Sequence, residues 1–267
     1  MTSIREEARG STFPDMSTTK PTLLLIHGFP QDHTLWDPQL GPFNAVANTL
    51  APDLRGFGNN TDYSELVTME TFAKDLRGLL DHHGIERAVL CGLSMGGYIA
   101  MAFLEQWPER VEAVILCNTR STGDTAEGKE GRRATARDAS EKGSAVIARA
   151  MIPKVLSAAT LRDRPDIVTH VETMMARQRP EGIAAASLGM AQRPDRTAVL
   201  KAVKVPVLII TGDADELMPL ATSQAMAAAM PGAQLVVLPK AGHLSNVEAP
   251  EQFNATVIDF LASLPRA

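Results

Sequence analysis

The sequence GLSMG at residues 92–96 is the feature that most restricts how this chain can fold. It ends an apolar run, Ala88–Leu93, which predicts a buried strand, and it opens a helical pattern, Met95–Gln106. Because so tight a turn from strand to helix has no room for a Cβ two residues before or after its centre, glycine is required on both sides. The turn is expected to raise the Ser94 hydroxyl above the sheet, at a helix N-terminus that favours negative charge.

Apolar runs and helical patterns alternate along the rest of the chain. Most of the runs are apolar throughout, which is typical of strands buried on both faces of a parallel sheet. The six runs are Thr22–Ile26, Ala45–Ala51, Ala88–Leu93, Val111–Cys117, Val205–Thr211 and Gln234–Leu238. The predicted helices outside the segment 119–195 are Met69–His82, with Thr68 as its N-cap, Met95–Gln106, Leu220–Met230 and Pro250–Ser263. This alternation predicts an α/β fold with a doubly wound, mostly parallel sheet.

The segment 119–195 contains no strand pattern and is too long for a loop inside a compact domain. Its predicted helices are Ala126–Glu141, Ser144–Leu156, Pro165–Arg179 and Glu181–Gln192. We therefore predict a helical cap over 119–195, inserted into a core formed by 1–118 and 196–267. Since no aromatic residue occurs from Pro108 to Gln252, the cap is expected to pack through Met, Leu, Ile and Ala.

The composition limits the partners and the location of the protein. The 267 residues carry a formal net charge of −5, which argues against a nucleic-acid partner because such partners usually require a basic face. No apolar stretch is long enough for a membrane span, and the N-terminal residues lack the apolar run of a signal peptide. Cys91 and Cys117 both fall in predicted strands, so buried thiols are expected rather than a disulfide. The expected location is cytoplasmic, and nothing in the sequence predicts the oligomeric state.

A serine hydroxyl needs a base to act as a nucleophile, and His243 is the candidate. It follows the last predicted strand, and active sites of such sheets gather at the carboxyl ends of strands. The other histidines have structural or surface positions: a helix end for His82 and His83, a cap helix for His170 and a turn for His27. The base in turn needs a carboxylate to orient it. Asp213 and Asp215 both follow the strand Val205–Thr211, and the spacing alone leaves both as candidates.

An oxyanion at the substrate carbonyl needs two N–H donors. The Met95 N–H, at the start of the helix after the serine, is one of them. The other is expected from the sequence HGFP at residues 27–30, where Pro30 has no N–H and Phe29 is therefore the donor. Pro30 also favours an extended conformation at Phe29.

These motifs resemble the α/β-hydrolase family over nearly the whole chain. The matching sequences are HGFP at 27–30, DLRGFG at 53–58, GLSMGG at 92–97, GDAD at 212–215 with Pro219, and GH at 242–243. The resemblance implies that the acid is Asp215, the last residue of a Gly-x-x-Asp turn, and leaves Asp213 as a turn former. It also implies that Asp53 and Arg55 hold a structural turn.

Within the family, residues 92–120 and a four-helix cap are most similar to 3-oxoadipate enol-lactonases and cofactor-free haloperoxidases or arylesterases. Ser94 separates the chain from the dehalogenase and epoxide-hydrolase relatives, which have Asp at that position. The N-terminal hairpin of the family falls on polar residues before Thr22, so its strands are expected to be weak or missing.

The expected reaction is hydrolysis of a small carboxylic ester or lactone through an acyl-enzyme. Ser94 is the nucleophile, His243 the base and Asp215 the residue that orients the base, while Phe29 and Met95 supply the oxyanion hole. The aliphatic cap predicts a mostly aliphatic acyl pocket, and neither a metal nor a cofactor is implied.

Three alternatives remain open. The same site would open the ring of a carboxylate-bearing enol-lactone, for which Arg120 is either a partner of the substrate carboxylate or a solvated or salt-bridged residue. Pro30 would allow perhydrolysis if it turned a backbone carbonyl into the site to hold hydrogen peroxide. The third alternative is a ligand-binding protein that keeps the fold without turnover.

Overall fold

The computed structural model describes residues 20–62 and 64–265, and a six-stranded sheet forms its centre. The described strands are β1 (Thr22–Ile26), β2 (Asn48–Leu50), β3 (Ala88–Leu93), β4 (Val111–Cys117), β5 (Val207–Gly212) and β6 (Gln234–Leu238). They pair in the order β2-β1-β3-β4-β5-β6, and each of these pairs is parallel. The strand order reverses between β1 and β3, which is the place where open α/β sheets form a ligand crevice. The predicted α/β fold with a doubly wound, parallel sheet is confirmed.

The described part of the chain contains twelve α-helices, some of which cover the two faces of the sheet. In chain order they are α1 (Asp37–Val46), α2 (Met69–His82), α3 (Met95–Gln106), α4 (Ala126–Lys142), α5 (Ser144–Val155), α6 (Ala158–Asp163), α7 (Pro165–Ala176), α8 (Pro180–Gln192), α9 (Thr197–Lys201), α10 (Leu220–Ala229), α11 (Ser245–Glu248) and α12 (Pro250–Ser263). Thr68 caps α2 as predicted, because its hydroxyl accepts the Thr71 N–H. Across the described part of the chain, no helix has the length and apolarity needed to span a membrane.

The prediction of a strand over Ala45–Ala51 is wrong at its start. Ala45 and Val46 end α1, and only Asn48–Leu50 pairs with β1. The helices α1, α6, α9 and α11 were not predicted from the sequence. The expectation that the N-terminal hairpin strands are weak or missing falls mainly on residues outside the described ones.

Two apolar cores, one on each face, hold the sheet between its helices. Successive residues of a strand alternate between them, so that Leu24 belongs to one core and Leu25 to the other, and both are fully buried. This double burial explains why the central strands are apolar throughout. Cys91 and Cys117 are free thiols in the second core, with their sulfur atoms 3.9 Å apart.

Helices α4 to α8 form a group between β4 and β5, above the carboxyl edge of the sheet, where the sequence predicts a cap with four helices. An ion pair fastens this group to the loop after β1. Arg177 donates from Nε and Nη2 to the Asp32 carboxylate at 2.8 Å each, and Gln178 Nε2 donates to the same carboxylate at 2.7 Å. The Asp32 side chain is only 1% exposed, so the end of α7 is anchored to a buried charge.

Candidate active site

Ser94 lies in a strained turn between β3 and α3. Its φ is +54°, in the left-handed region that non-glycine residues rarely adopt. A Cβ at Gly92 would lie 2.3 Å from Gly96 O, and a Cβ at Gly96 would lie 2.1 Å from Ile26 O. The turn therefore closes only with glycine at both positions, and it presses the start of α3 against the end of β1.

Hydrogen bonds fix this turn to the last residue of β4 and to the segment that follows it. Ser94 N donates to Cys117 O at 2.9 Å, and Thr119 Oγ1 donates to Ser94 O at 2.8 Å. Among the described residues the Ser94 hydroxyl has no hydrogen-bond partner, and His243 is not bonded to it. Catalytic hydrogen bonds are often long without substrate and tighten only in the complex.

Asp215 and His243 follow β5 and β6 and meet at the same edge of the sheet. His243 Nδ1 donates to Asp215 Oδ2 at 2.8 Å, and the side chains of His243 and Asp215 are 3% and 0% exposed. Leu217 N and Met218 N both donate to Asp215 Oδ1 at 2.9 Å. Burial raises the pKa of Asp215, but the charge of His243 and these hydrogen bonds outweigh it and hold the pKa below its usual value. An ionised Asp215 keeps the proton of His243 on Nδ1, which leaves Nε2 as a proton acceptor.

Asn118 is a site residue that the sequence reasoning missed. It follows β4 directly, is fully buried and has a φ of +46°. Its Nδ2 donates to Asp215 Oδ2 at 2.8 Å and to Gly242 O at 3.2 Å, and its Oδ1 accepts the Ser245 hydroxyl at 2.6 Å. Asn118 thus joins the acid to the loop that carries His243. A polar residue at the carboxyl end of a central strand was the signal that could have found it.

The two expected oxyanion donors border the crevice where the strand order reverses. Neither Phe29 N nor Met95 N has an acceptor among the described residues. A Cβ at Gly28 would lie 3.2 Å from Leu93 O, so the loop before Phe29 lies directly against the end of β3. The Phe29–Pro30 peptide is cis. Two free N–H groups therefore lie on adjacent segments beside the serine turn.

A family model for the alpha/beta hydrolase fold matches residues 21–250. The chain belongs to the α/β-hydrolase family.

Similar proteins include esterases and lactonases. An esterase from Thermogutta terrifontis, whose structure contains bound malate, is 41% identical, with a TM-score of 0.89 over 91% of this chain and 90% of its own. An enol-lactonase from Burkholderia xenovorans is 30% identical, with a TM-score of 0.84 over 91% and 92% of the two chains. A curated relative, the 3-oxoadipate enol-lactonase 2 of Acinetobacter baylyi, is 29% identical over 89% of this chain and 87% of its own length. These matches confirm the predicted resemblance to the enol-lactonase group and support a hydrolase.

In this α/β-hydrolase three arginines surround one buried carboxylate where the chain leaves the sheet for the cap. The side chain of Asp124 is 2% exposed and forms ion pairs with Arg120, Arg132 and Arg193. Burial raises the pKa of Asp124, but the Arg193 hydrogen bond and the arginine charges lower it to about 2. Arg120 is therefore salt-bridged, as one of the two sequence interpretations held. The Arg193 guanidinium also lies 3.9 Å above the ring of Tyr98, one turn after the serine.

The remaining polar residues that the sequence singled out hold loops of the hydrolase. His27 Nδ1 donates to Gly28 O at 2.8 Å while its Nε2 accepts the Leu54 N–H at 3.1 Å, so both ring nitrogens are used. Asp213 is exposed and accepts the Lys240 N–H at 2.6 Å, which joins the turns after β5 and β6.

One group of side chains has the composition of a metal site. The ligating atoms of Asp32, His33 and Asp53 lie within 4.8 Å of one another. Each already has a partner within the protein: Asp32 binds Arg177, and Asp53 accepts from His33 Nδ1 at 2.7 Å. These bonds fit a group that fixes the loop after β1 rather than one arranged around an ion.

Proposed function

We propose that this protein hydrolyses a carboxylic ester or lactone through an acyl-enzyme formed on Ser94. The observation that carries the proposal is the buried hydrogen bond between His243 and Asp215, at the same sheet edge as a serine in a strained strand-to-helix turn. The esterase and lactonase relatives support an ester or lactone as the substrate.

In the proposed mechanism Ser94 Oγ attacks the substrate carbonyl carbon and transfers its proton to His243 Nε2. Asp215 keeps the other ring nitrogen protonated and stabilises the imidazolium that results. His243 then returns the proton to the leaving oxygen, which releases the alcohol or opens the lactone ring. A water molecule gives a proton to the same nitrogen and attacks the acyl carbon. The bond to Ser94 Oγ then breaks, His243 returns the proton to that oxygen, and the acid is released.

The negative charge of each tetrahedral intermediate is assigned to the N–H groups of Phe29 and Met95. Both are without an acceptor among the described residues, so they are available before substrate binds. One such donor contributes roughly 3 kcal/mol to the stabilisation of the transition state.

A carboxylate-bearing lactone or ester is a second candidate, and the arginine group around Asp124 favours it. Three guanidinium groups face a single carboxylate there, and Nε of Arg193 and the hydroxyl of Tyr98 are buried without a hydrogen-bond partner among the described residues. Such an excess of positive charge stabilises an anionic substrate group by direct attraction.

The first experiment compares wild type with Ser94→Ala on p-nitrophenyl esters of short, medium and long acyl chains. Losing the nucleophile is expected to lower the rate about 10⁶-fold, by analogy with other serine hydrolases. Ser140→Ala, an exposed serine on α4, is the matched control and should retain full activity.

The outcome of this comparison separates the alternatives. Turnover that survives in Ser94→Ala would show that another group is the nucleophile. If neither protein turns over any ester, a panel of lactones with and without a carboxylate follows, and inactivity on that panel as well would favour a ligand-binding protein.

A further inference from the structure

The loop that carries His243 is held by a hydrogen bond on each side of the histidine, one to the cap and one to Glu248 of α11. On the C-terminal side, Leu244 N donates directly to Val155 O, the last residue of α5, at 3.1 Å. On the N-terminal side, Gly242 N donates to Glu248 Oε1 at 2.9 Å. The backbone of His243 is therefore held between two bonded neighbours.

The second oxygen of Glu248 binds the cap. Glu248 Oε2 accepts the N–H of Ser157 at 2.9 Å and the hydroxyl of Thr160 at 2.6 Å. Because Thr160 gives its only hydroxyl proton to the carboxylate, Thr160 Oγ1 acts as the acceptor for the Ser157 hydroxyl, at 3.1 Å. Ser157 Oγ in turn accepts the Thr160 N–H at 3.2 Å. The Glu248 carboxylate thus accepts hydrogen bonds both from the start of α6 and from the residue before His243.

The loop that carries His243 leaves little space around the Glu248 carboxylate. A Cβ at Gly242 would lie 2.6 Å from Ser157 N and 2.7 Å from Glu248 Oε1, so the loop and the cap meet without room for a side chain. The three donors that face Glu248 can all be satisfied only by an ionised carboxylate. An amide would place its NH₂ group against at least one of them.

From these contacts we infer that Glu248 is a positioning residue for His243, and that it couples the placement of the base to the position of the cap helix α6. The inference rests on the proposed function, because it assigns to Glu248 an effect on the reaction that His243 is proposed to catalyse. Glu248 itself is given no contact with substrate. The cap then contributes to the geometry of catalysis as well as to the shape of the pocket.

Glu248→Gln tests the inference, with Glu251→Gln as matched control because Glu251 is exposed in the first turn of α12. We expect kcat per folded molecule to fall at least roughly tenfold in Glu248→Gln, since bonds to a charged group are lost, while KM stays within about twofold. The far-downfield proton resonance of His243 Nδ1, bonded to Asp215, should shift or broaden in Glu248→Gln and stay unchanged in Glu251→Gln. A wild-type kcat, or a loss confined to KM, overturns the inference.

Thr160→Val supplies a second, milder variant. It removes the hydroxyl that α6 offers to Glu248, and with it the acceptor of the Ser157 hydroxyl, but it leaves the carboxylate in place. We therefore expect kcat to fall by about threefold without a change in KM. If Glu248→Gln does not fold, Thr160→Val decides, and a wild-type kcat there would contradict the coupling. Ser94→Ala is measured in the same series. Activity that survives in it would refute the proposed function, whereas an inactive Ser94→Ala beside a fully active Glu248→Gln would refute the positioning role alone.

Discussion

Replacing Asn118 by Asp tests how the acid of the site is kept ionised. The two side chains have nearly the same shape, and aspartate tolerates the positive φ of this position. The change replaces a donor that lies 2.8 Å from Asp215 Oδ2 with a second carboxyl group. Two carboxylates at that distance repel each other unless one of them holds a proton.

The repulsion between the two carboxylates exceeds the cost of keeping one of them protonated at pH 7. At 2.8 Å and an effective dielectric constant of about 20, the repulsion between two carboxylates is roughly 6 kcal/mol. Keeping a proton on an ordinary aspartate at pH 7 costs about 4 kcal/mol. The proton therefore stays at neutral pH, and the protonated carboxyl group introduced by Asn118→Asp donates to Asp215 much as the native amide does.

The variant should consequently be active at neutral pH and lose activity at alkaline pH, where the pair releases its proton. The assay is kcat/KM from pH 5 to 10, with product acid measured by chromatography. The raised pKa of this carboxyl pair also makes the stability of the variant depend on pH. A carboxyl group whose pKa is raised by folding lowers the free energy of unfolding above its unfolded pKa, so the loss in Tm should be small near pH 4 and large at pH 8. A pH profile like that of wild type would refute the assignment of Asn118 as a donor to Asp215.

Three further changes give independent tests. Gly96→Ala should destabilise the fold by several kcal/mol, because its Cβ would lie 2.1 Å from a carbonyl oxygen at the end of β1. Gly131→Ala is the control, since open space surrounds that position, and it should raise Tm slightly. Thermal unfolding of both variants measures the difference. Asp124→Asn should lower the free energy of unfolding at pH 7 by about 2 kcal/mol, measured by urea titration. This difference should shrink as the pH falls from about 4 to 2, because Asp124 of the wild type then becomes protonated. Arg177→Met leaves the buried Asp32 carboxylate with fewer donors and should cost about 1–3 kcal/mol in the same titrations, with no loss at all contradicting the anchoring role.

Helix α1 shows why part of the fold could not be predicted. Its sequence contains Pro42, which removes an intrahelical donor and usually marks the end of a helix. The carbonyl that Pro42 leaves unbonded, Pro38 O, accepts instead from Asn254 Nδ2 at 3.0 Å. A contact across 216 residues therefore compensates for a local defect, and no local pattern contains that information. The central strands were predictable because burial on both faces makes most of their residues apolar.

The candidate site divides in the same way. Ser94 and His243 were recognised because each lies in a short pattern at a strand end, where the turn itself restricts which residues fit. Asn118 and Glu248 act through bonds to residues that are 97 and 91 positions away, so their partners cannot be found from the neighbouring sequence. Only the place of Asn118, directly after a central strand, marked it as a candidate.

The ends of the inserted helices meet at one place, and this has a consequence for protein engineering. Arg193, after α8, pairs with Asp124, before α4, while Arg196 N donates to Ser121 O at 2.8 Å. Because both ends are tied together, we expect that the helices between them can be exchanged as a unit for the corresponding helices of another α/β-hydrolase, without a change in the core sequence on either side. Such a chimera would keep the junction but lose the donors at Ser157 and Thr160, so a transplanted cap must bring its own pair of donors if the histidine loop is to keep its place.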